Sequence, residues 1–513
     1  MVGRLTRRDF LKYVAWLAAD TALSVSAHGA TKVSSLPRRG SGTAGTHPNF
    51  VFILVDDLGW ADVGCYGSDL HETPNIDRLA RQGMRFTDAY AAAPVCSPTR
   101  ASIMTGKYPA RLHMTIWYES SANPPRGRRL IPPITQGNMP HEQVTIAEVL
   151  KKAGYFTAHV GKWHLGDAEH YPQTQGFDVN IGGTFWGAPT TFFYPYSGSS
   201  RWGGEFRYVP HLEFGSEGEY LTDRLTDEAI RVLNRVKDKS FFLNLCYHTV
   251  HTPIEGKPEL VEHYKKKVKP GMHHQNYEYA AMVHSLDENV GRILSKISEL
   301  GIADRTVIIF FSDNGGYINK YNKKTVTNNY PLRSGKGSLY EGGTRAPLII
   351  QWPGVTKAGS VCRQPVSSID FYPTFLDITG LAGDPKHNAD MDGLSLVPLL
   401  KRNPAAKLKR DVLYWHYPHY YATTSPAQQR WVPIKTRQGR GSIRQDDWKL
   451  LEYFEDKRIE LYNLRKDIGE ENNLAERMPE KAEELRKRLD AWRKAVDAQM
   501  PTPNPKYSSK VGR

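Results

Sequence analysis

A thiol, three carboxylates and several lysines and histidines stand in this sequence where backbone elements change. Cys96 opens Cys96-Ser97-Pro98-Thr99-Arg100, behind the small-residue loop Ala91-Ala92-Ala93-Pro94. Pro98 suits the start of a helix, where its missing N–H is no loss. Cys96 therefore falls at a helix N-terminus, where unpaired backbone N–H groups and the helix dipole favour an anion. Arg100 lies one turn on, within reach of the Cys96 side chain. Spacing alone leaves two readings open, an activated group or a buried structural thiol.

Asp56-Asp57 and Asp313-Asn314 each follow an apolar run. Either pair alone reads as a turn. Brought into one crevice, the carboxylates would repel each other unless one titrates upward or a cation sits between them. An all-oxygen set favours a hard ion, Ca²⁺ or Mg²⁺. Lys162 and His164 follow another apolar run, and His248 and His251 a third. Lys336 in Ser334-Gly335-Lys336-Gly337-Ser338 is not a phosphate-binding loop, because Tyr330 stands where the upstream glycine is needed. His159, His164 and His170 fit no usual zinc spacing. The aromatic residues Trp117, Tyr118, Trp186 and His416-Tyr417-Pro418-His419-Tyr420 fall in loop-like segments, where they either stack on sugar faces or pack an interface.

The elements that must position these groups follow from periodicity. Asn49–Val55, Tyr155–Val160, Phe241–Tyr247 and Thr306–Phe311 are apolar and rich in β-branched or aromatic residues, as expected of strands buried on both faces. Helices are expected over 74–82, behind Thr73, and over 144–153, 220–237 and 277–300. The alternation implies an α/β fold with a mostly parallel central sheet flanked by helices. In such sheets sites form outside the carboxyl ends of strands, so these four polar strand ends should converge. Beyond residue 402, short strands at 412–415, 448–454 and 459–462 precede a helix over 479–498, giving a smaller C-terminal domain of antiparallel strands plus a helix. The expected organisation is a signal over 1–30, a linker over 31–48, a catalytic domain over 49–402, the C-terminal domain over 403–500, and a polar tail without structure over 501–513.

Cys96-Ser97-Pro98-Thr99-Arg100 with Met104-Thr105-Gly106 resembles the signature of the formylglycine-dependent (type I) sulfatases, arylsulfatase-like members of the alkaline phosphatase superfamily. The resemblance recurs at Val55-Asp56-Asp57-Leu58-Gly59, Thr73-Pro74-Asn75-Ile76-Asp77-Arg78-Leu79-Ala80, Gly161-Lys162-Trp163-His164-Leu165-Gly166, Ser312-Asp313-Asn314-Gly315-Gly316 and Tyr340-Glu341-Gly342-Gly343. It covers most of residues 48–475. It implies that Cys96 is oxidised by a formylglycine-generating enzyme to 3-oxoalanine (formylglycine), whose hydrate attacks the sulfur of a sulfated carbohydrate or aryl sulfate. It further implies that Asp56, Asp57, Asp313, Asn314 and the Cys96 side chain hold one Ca²⁺. By the same resemblance Arg100, Lys162 and Lys336 neutralise sulfate oxygens, His251 assists the leaving group, and His164 assists release of sulfate. Two alternatives stand beside it. One is a phosphonate or phosphate monoester hydrolase of the same superfamily; the other is a non-catalytic sulfated-glycan-binding protein, should Cys96 stay a thiol.

The net charge of +14 falls to +12 without the four basic and two acidic side chains of the first thirty residues. Such a surface suits anionic substrates, and no nucleic-acid-binding motif accompanies it. Four cysteines are too few for a disulfide scaffold. Thr6-Arg7-Arg8-Asp9-Phe10-Leu11-Lys12 resembles a twin-arginine signal. The apolar run behind it is too short and polar for a stable membrane span. The twin-arginine export machinery and a periplasmic location are therefore expected.

Overall fold

The structure, a computed structural model, describes residues 47–122, 127–199, 204–401, 406–421 and 439–507. The expected signal and nearly all of the linker lie outside them. The central sheet has eight strands: β1 (Asn49–Val55), β2 (Met84–Phe86), β3 (Phe156–Gly161), β4 (Val179–Ile181), β5 (Phe241–Tyr247), β6 (Thr306–Ser312), β7 (Leu348–Gln351) and β8 (Ser360–Cys362). Their order across the sheet is β8-β2-β7-β6-β1-β5-β3-β4. The five strands β6-β1-β5-β3-β4 run parallel, and β7 pairs antiparallel with both β6 and β2.

The continuous apolar run of β1 has a direct structural reason. Val51, Ile53 and Val55 face one core, while Phe50, Phe52 and Leu54 face the other. Helices cover both faces: α1 (Pro74–Gln82), α2 (Cys96–Thr105), α3 (Ile146–Lys152), α4 (Leu221–Val236), α5 (Pro258–Lys267), α6 (Tyr277–Glu299) and α7 (Phe371–Thr379). α3 starts two residues later than periodicity predicts, because Thr145 and Glu148 close a capping box there.

A second sheet, β9 (Val412–Tyr417), β10 (Arg440–Gln445), β11 (Trp448–Tyr453) and β12 (Ile459–Asn463), is antiparallel in sequence order and is followed by α8 (Pro479–Ala495). Its side chains Leu413, Trp415, Leu451 and Tyr453 pack with Tyr90, Val95 and Tyr340 of the larger part. Three expectations are corrected here. Tyr118 opens a short helix, Tyr118–Ala122, rather than lying in a loop. His416 and Tyr417 are buried strand residues, not loop residues. The tail is not structureless throughout, since Thr502–Pro503 pairs with Leu130–Ile131. No helix among the described residues is long and apolar enough to cross a membrane.

Candidate active site

The carboxyl ends of β1, β3, β5 and β6 meet on one side of the sheet, and the start of α2 faces them. Asp56 and Asp57 leave β1 in succession. A continuing strand would send them to opposite faces. Asp57 instead adopts the left-handed region at φ 62°, which Asp tolerates better than most residues, and both carboxylates enter the site. At the end of β3, Gly161 has φ 100°, and a Cβ there would lie 1.9 Å from the Cys246 carbonyl oxygen. Only glycine permits that close turn into Lys162.

Lys162 Nζ donates to Asp56 Oδ2 at 2.6 Å, and Lys336 Nζ lies 2.8 Å from Asp57 Oδ1 and Oδ2. Asn314 Nδ2 donates to Asp57 Oδ1 at 2.8 Å, and the Asp57 N–H donates to Asp313 Oδ1. Arg100 donates from Nε to Asp313 Oδ2 at 2.8 Å and from Nη1 to the Lys162 carbonyl. The hydrogen bonds of its guanidinium go to a buried carboxylate, the stronger kind of partner, and to a backbone carbonyl. The Lys336 loop is tied to the Cys96 loop by the Gly337 N–H donating to the Pro94 carbonyl, 2.8 Å.

Cys96 is buried at the first turn of α2, 3% exposed, with Sγ 3.3 Å from His164 Nδ1. Burial pushes its thiol up, against the pull of Lys162 and Lys336, so the thiol itself is not an activated thiolate. Burial, reinforced by Lys162 and Arg100, holds His164 well below the ordinary histidine range. The His164 ring lies on Gly187, where a Cβ would come within 2.4 Å of it. His251 Nδ1 sits 2.8 Å from the Thr252 carbonyl, and Nε2 is 3.6 Å from Asp57 Oδ2. Burial and Lys336 lower His251 to about 3, with Asp57 opposing them.

Cys96, Asp57, His164, His251 and Lys336 line one cavity of about 600 Å³. Asp56, Arg100, Lys162, Asp313 and Asn314 lie behind that lining, fully or almost fully buried. His248 is buried nearby, outside the lining, with both ring nitrogens unpartnered. Of the histidines weighed for zinc, His159 bonds to Gly161 and Asn244, and His170 stacks on His141, so the three do not converge. Among the aromatic candidates Trp117 lines the cavity, whereas Trp186 packs between Phe185 and Tyr208. Glu119, Glu205, Arg207, Tyr317 and Tyr421 also line it. Glu119 lies in the short helix Tyr118–Ala122, Arg207 in the two-residue strand Phe206–Arg207 and the others in loops, and nothing in their spacing singles them out.

The oxygen-rich corner suits a hard cation. Ligand atoms of Asp56, Asp57 and His251 lie within 4.8 Å of one another. Asp56 Oδ1 and Asn314 Oδ1 are buried and accept no hydrogen bond. Buried acceptors are ordinarily satisfied, and two spare oxygens beside three carboxylates match the donor set of Ca²⁺ or Mg²⁺.

A mostly parallel α/β sheet with carboxylates, lysines, histidines and a helix-start thiol at its strand ends has its polar groups where open α/β sheets bind their ligands. The profile of the Sulfatase family matches residues 48–381, and that of the N-sulphoglucosamine sulphohydrolase C-terminal region matches residues 335–495. A sulfatase of Formosa agariphila is 34% identical over 88% of this chain and 89% of its own length. Human N-acetylgalactosamine-6-sulfatase is 33% identical over 73% of this chain and 70% of its own. The crystal structure of Ps i-CgsB in complex with k-i-k-neocarrahexaose superimposes with a TM-score of 0.71 and 30% identity, covering 91% and 96% of the two chains. The chain belongs to the sulfatase family of the alkaline phosphatase superfamily and is a sulfuric ester hydrolase.

Proposed function

We propose that the protein removes sulfate from sulfated carbohydrate, with Cys96 oxidised to formylglycine and one Ca²⁺ held by Asp56, Asp57, Asp313 and Asn314. The observation that carries this reading is the shared cavity floor. Cys96, His164, His251 and Lys336 line the cavity, and the two spare oxygens of Asp56 and Asn314 lie behind it. Carbohydrate as the carrier is supported by the sugar named for the human relative and the oligosaccharide bound to Ps i-CgsB. When present, the two groups supply a hydroxyl nucleophile and a Lewis acid for the ester oxygens.

The chain's own residues do the rest. Lys336, on the cavity lining, offsets negative charge as it grows on the sulfate oxygens. His164, neutral at working pH, accepts a proton at Nδ1 from the group at position 96. The Thr252 carbonyl can only accept, so His251 donates to it from Nδ1. Nε2 of the neutral ring then carries a lone pair; it takes up a proton from solvent, a step favoured by Asp57 Oδ2 at 3.6 Å and by the bound sulfate's offset of Lys336, and passes that proton to the leaving alcohol. Arg100 and Lys162 hold Asp313 and Asp56 in place and add positive charge from behind. The Arg7-Arg8 signal would deliver the enzyme to the periplasm, and Arg7→Lys with Arg8→Lys should leave it in the cytoplasm.

The direct test is the tryptic peptide of residues 86–100 from enzyme made in its native host, whose mass should show an aldehyde in place of the thiol. A wholly unmodified peptide from active enzyme refutes the role of Cys96. Higher kcat/KM for 4-nitrophenyl sulfate than for 4-nitrophenyl phosphate is expected with Ca²⁺ present.

A further inference from the structure

Large aromatic side chains are costly to leave in water, and in this molecule several exposed ones stand next in the chain to residues that line the cavity. Tyr118 is 54% exposed, Phe206 63% and Tyr208 49%. Tyr118 lies between Trp117 and Glu119 in sequence, Phe206 between Glu205 and Arg207, and Tyr208 directly after Arg207. All four of those neighbours line the cavity, while the three exposed rings do not. The two walls face each other closely, since Arg207 and Glu205 are both electrostatic neighbours of Glu119.

Two of the rings are held in place. Tyr118 rests on Gly137, where a Cβ would come within 2.6 Å of its ring. Tyr208 meets Trp186 edge-on at 5.1 Å, and Trp186 is braced by Phe185 at 5.0 Å. A fixed ring with an open face binds at low entropic cost.

We propose that these rings form a subsite for a sugar chain, so that the substrate is a sulfated oligosaccharide whose sulfated residue enters the cavity while its neighbours stack outside. The proposal rests on the carbohydrate reading above and extends it. The chemistry favours a glycan over a lipid surface or a second protein copy. Apolar ring faces alternate with Glu119, Ser120, Glu205 and Arg207, which matches a sugar's apolar C–H face and hydroxyl edge; a membrane or protein contact would call for a contiguous apolar patch. The cavity, at about 600 Å³, is the size of a small-ligand site. The rings outside its lining can touch only what projects beyond it.

The test uses the full enzyme on sulfated mono-, di-, tetra- and hexasaccharides from carrageenan, chondroitin sulfate, heparan sulfate and fucoidan, with 4-nitrophenyl sulfate as the short reference. In at least one series kcat/KM should rise about tenfold or more from mono- to tetrasaccharide. Tyr118→Ala and Tyr208→Ala should each cut the ratio of tetrasaccharide to 4-nitrophenyl sulfate by about three- to tenfold, the size of one aromatic stacking contact. Tyr208→Trp should keep the ratio. Phe214→Ala, at an 89% exposed ring outside the cavity lining, should also leave it unchanged. Monosaccharide turnover with no gain on any longer chain overturns the subsite, as does a gain that both alanine variants retain. Wild-type enzyme that cleaves 4-nitrophenyl sulfate but no sugar sulfate refutes the carbohydrate reading instead.

Discussion

Two buried clusters in this molecule use the same ingredients to different ends. At the strand ends, Lys162 and Lys336 hold Asp56 and Asp57. Under the second sheet, Lys449 Nζ lies 2.7 Å from Glu341 and 3.0 Å from Glu470, with Arg345 also on Glu341. Burial pushes every one of these carboxyls up, and the cations pull one of each pair back. Asp56 and Glu470 end at about 7, while Asp57 and Glu341 end below their ordinary values. What differs is the surroundings. The first cluster backs onto a cavity and keeps two spare oxygens. The second lies away from the cavity lining: Glu341 also accepts from Tyr90, its own N–H donates to Glu470, and the one Glu470 oxygen without a hydrogen bond, Oε1, has Lys449 Nζ at 3.0 Å. Neither buried charge nor a leftover acceptor is therefore a mark of a site by itself; the open space beside the first cluster is what separates the two.

Substitution should pull the clusters apart. Asp57→Ala should lower kcat on 4-nitrophenyl sulfate by about 10³-fold, the scale of losing a main electrostatic element, and calorimetry should show weakened Ca²⁺ binding. Comparable activity and Ca²⁺ affinity in the variant would remove the contrast. Lys449→Met leaves buried Glu470 without its cation and Glu341 with Arg345, and should cost about 3–5 kcal/mol in urea unfolding, with kcat per folded molecule changed only slightly. A large kcat loss without destabilisation would mean the sealed cluster acts on the reaction.

Ca²⁺ sharpens the same contrast. At one hundred times its Kd, the ion should stabilise wild-type protein by about 2.7 kcal/mol, read as a rise in Tm that EDTA reverses. Lys449→Met should retain that rise and Asp57→Ala should lose it. The smallest effect concerns a third cluster, whose cation can be titrated. His274 lies 3.3 Å from Asp62 and 2.7 Å from Asp69. Burial pulls its pKa down, but the two carboxylates outweigh that and raise it. A raised histidine contributes stability in full below its unfolded value near 6.5, and that contribution is lost as pH rises through the folded value. The fall in Tm above pH 6.5 should be shallower in His274→Gln, and an identical slope would show the pair to be energetically idle.

Much of the architecture was legible because one physical rule dominates it. Strands buried on both faces must be apolar throughout, so β1, β5 and β6 stand out in the sequence with boundaries correct to within a residue. Polar residues just beyond such runs have nowhere to go but the strand ends, which is why Asp56, Lys162, His251 and Asp313 could be brought together from sequence. β10 was missed because Ile443 is its one large apolar residue; backbone pairing to β9 and β11 holds it, and pairing leaves no periodic trace. The cavity walls were illegible for a related reason. Glu119, Glu205 and Arg207 owe their place to very short elements and the connections around them, too short to leave a periodic pattern.

The burial of Cys96 also has a bearing on time. Its cover includes the loop bonded to Pro94 through Gly337, and Lys336 is made 240 residues after Cys96. At translation rates of about 5–20 residues per second, that loop follows the thiol out of the ribosome by about 12–48 s. On the proposed role of Cys96, an enzyme that must grip the still extended chain around residue 96 has this interval in which to do so. Once β6 and the loop have docked, the sulfur is reached only through the cavity, and a chain that missed the proposed oxidation would have to open before an enzyme could grip the residues around it. If Cys96 is oxidised as proposed, the fraction of active molecules is set by a race between modification and folding, and slower translation between codons 96 and 336 should raise specific activity without altering the sequence.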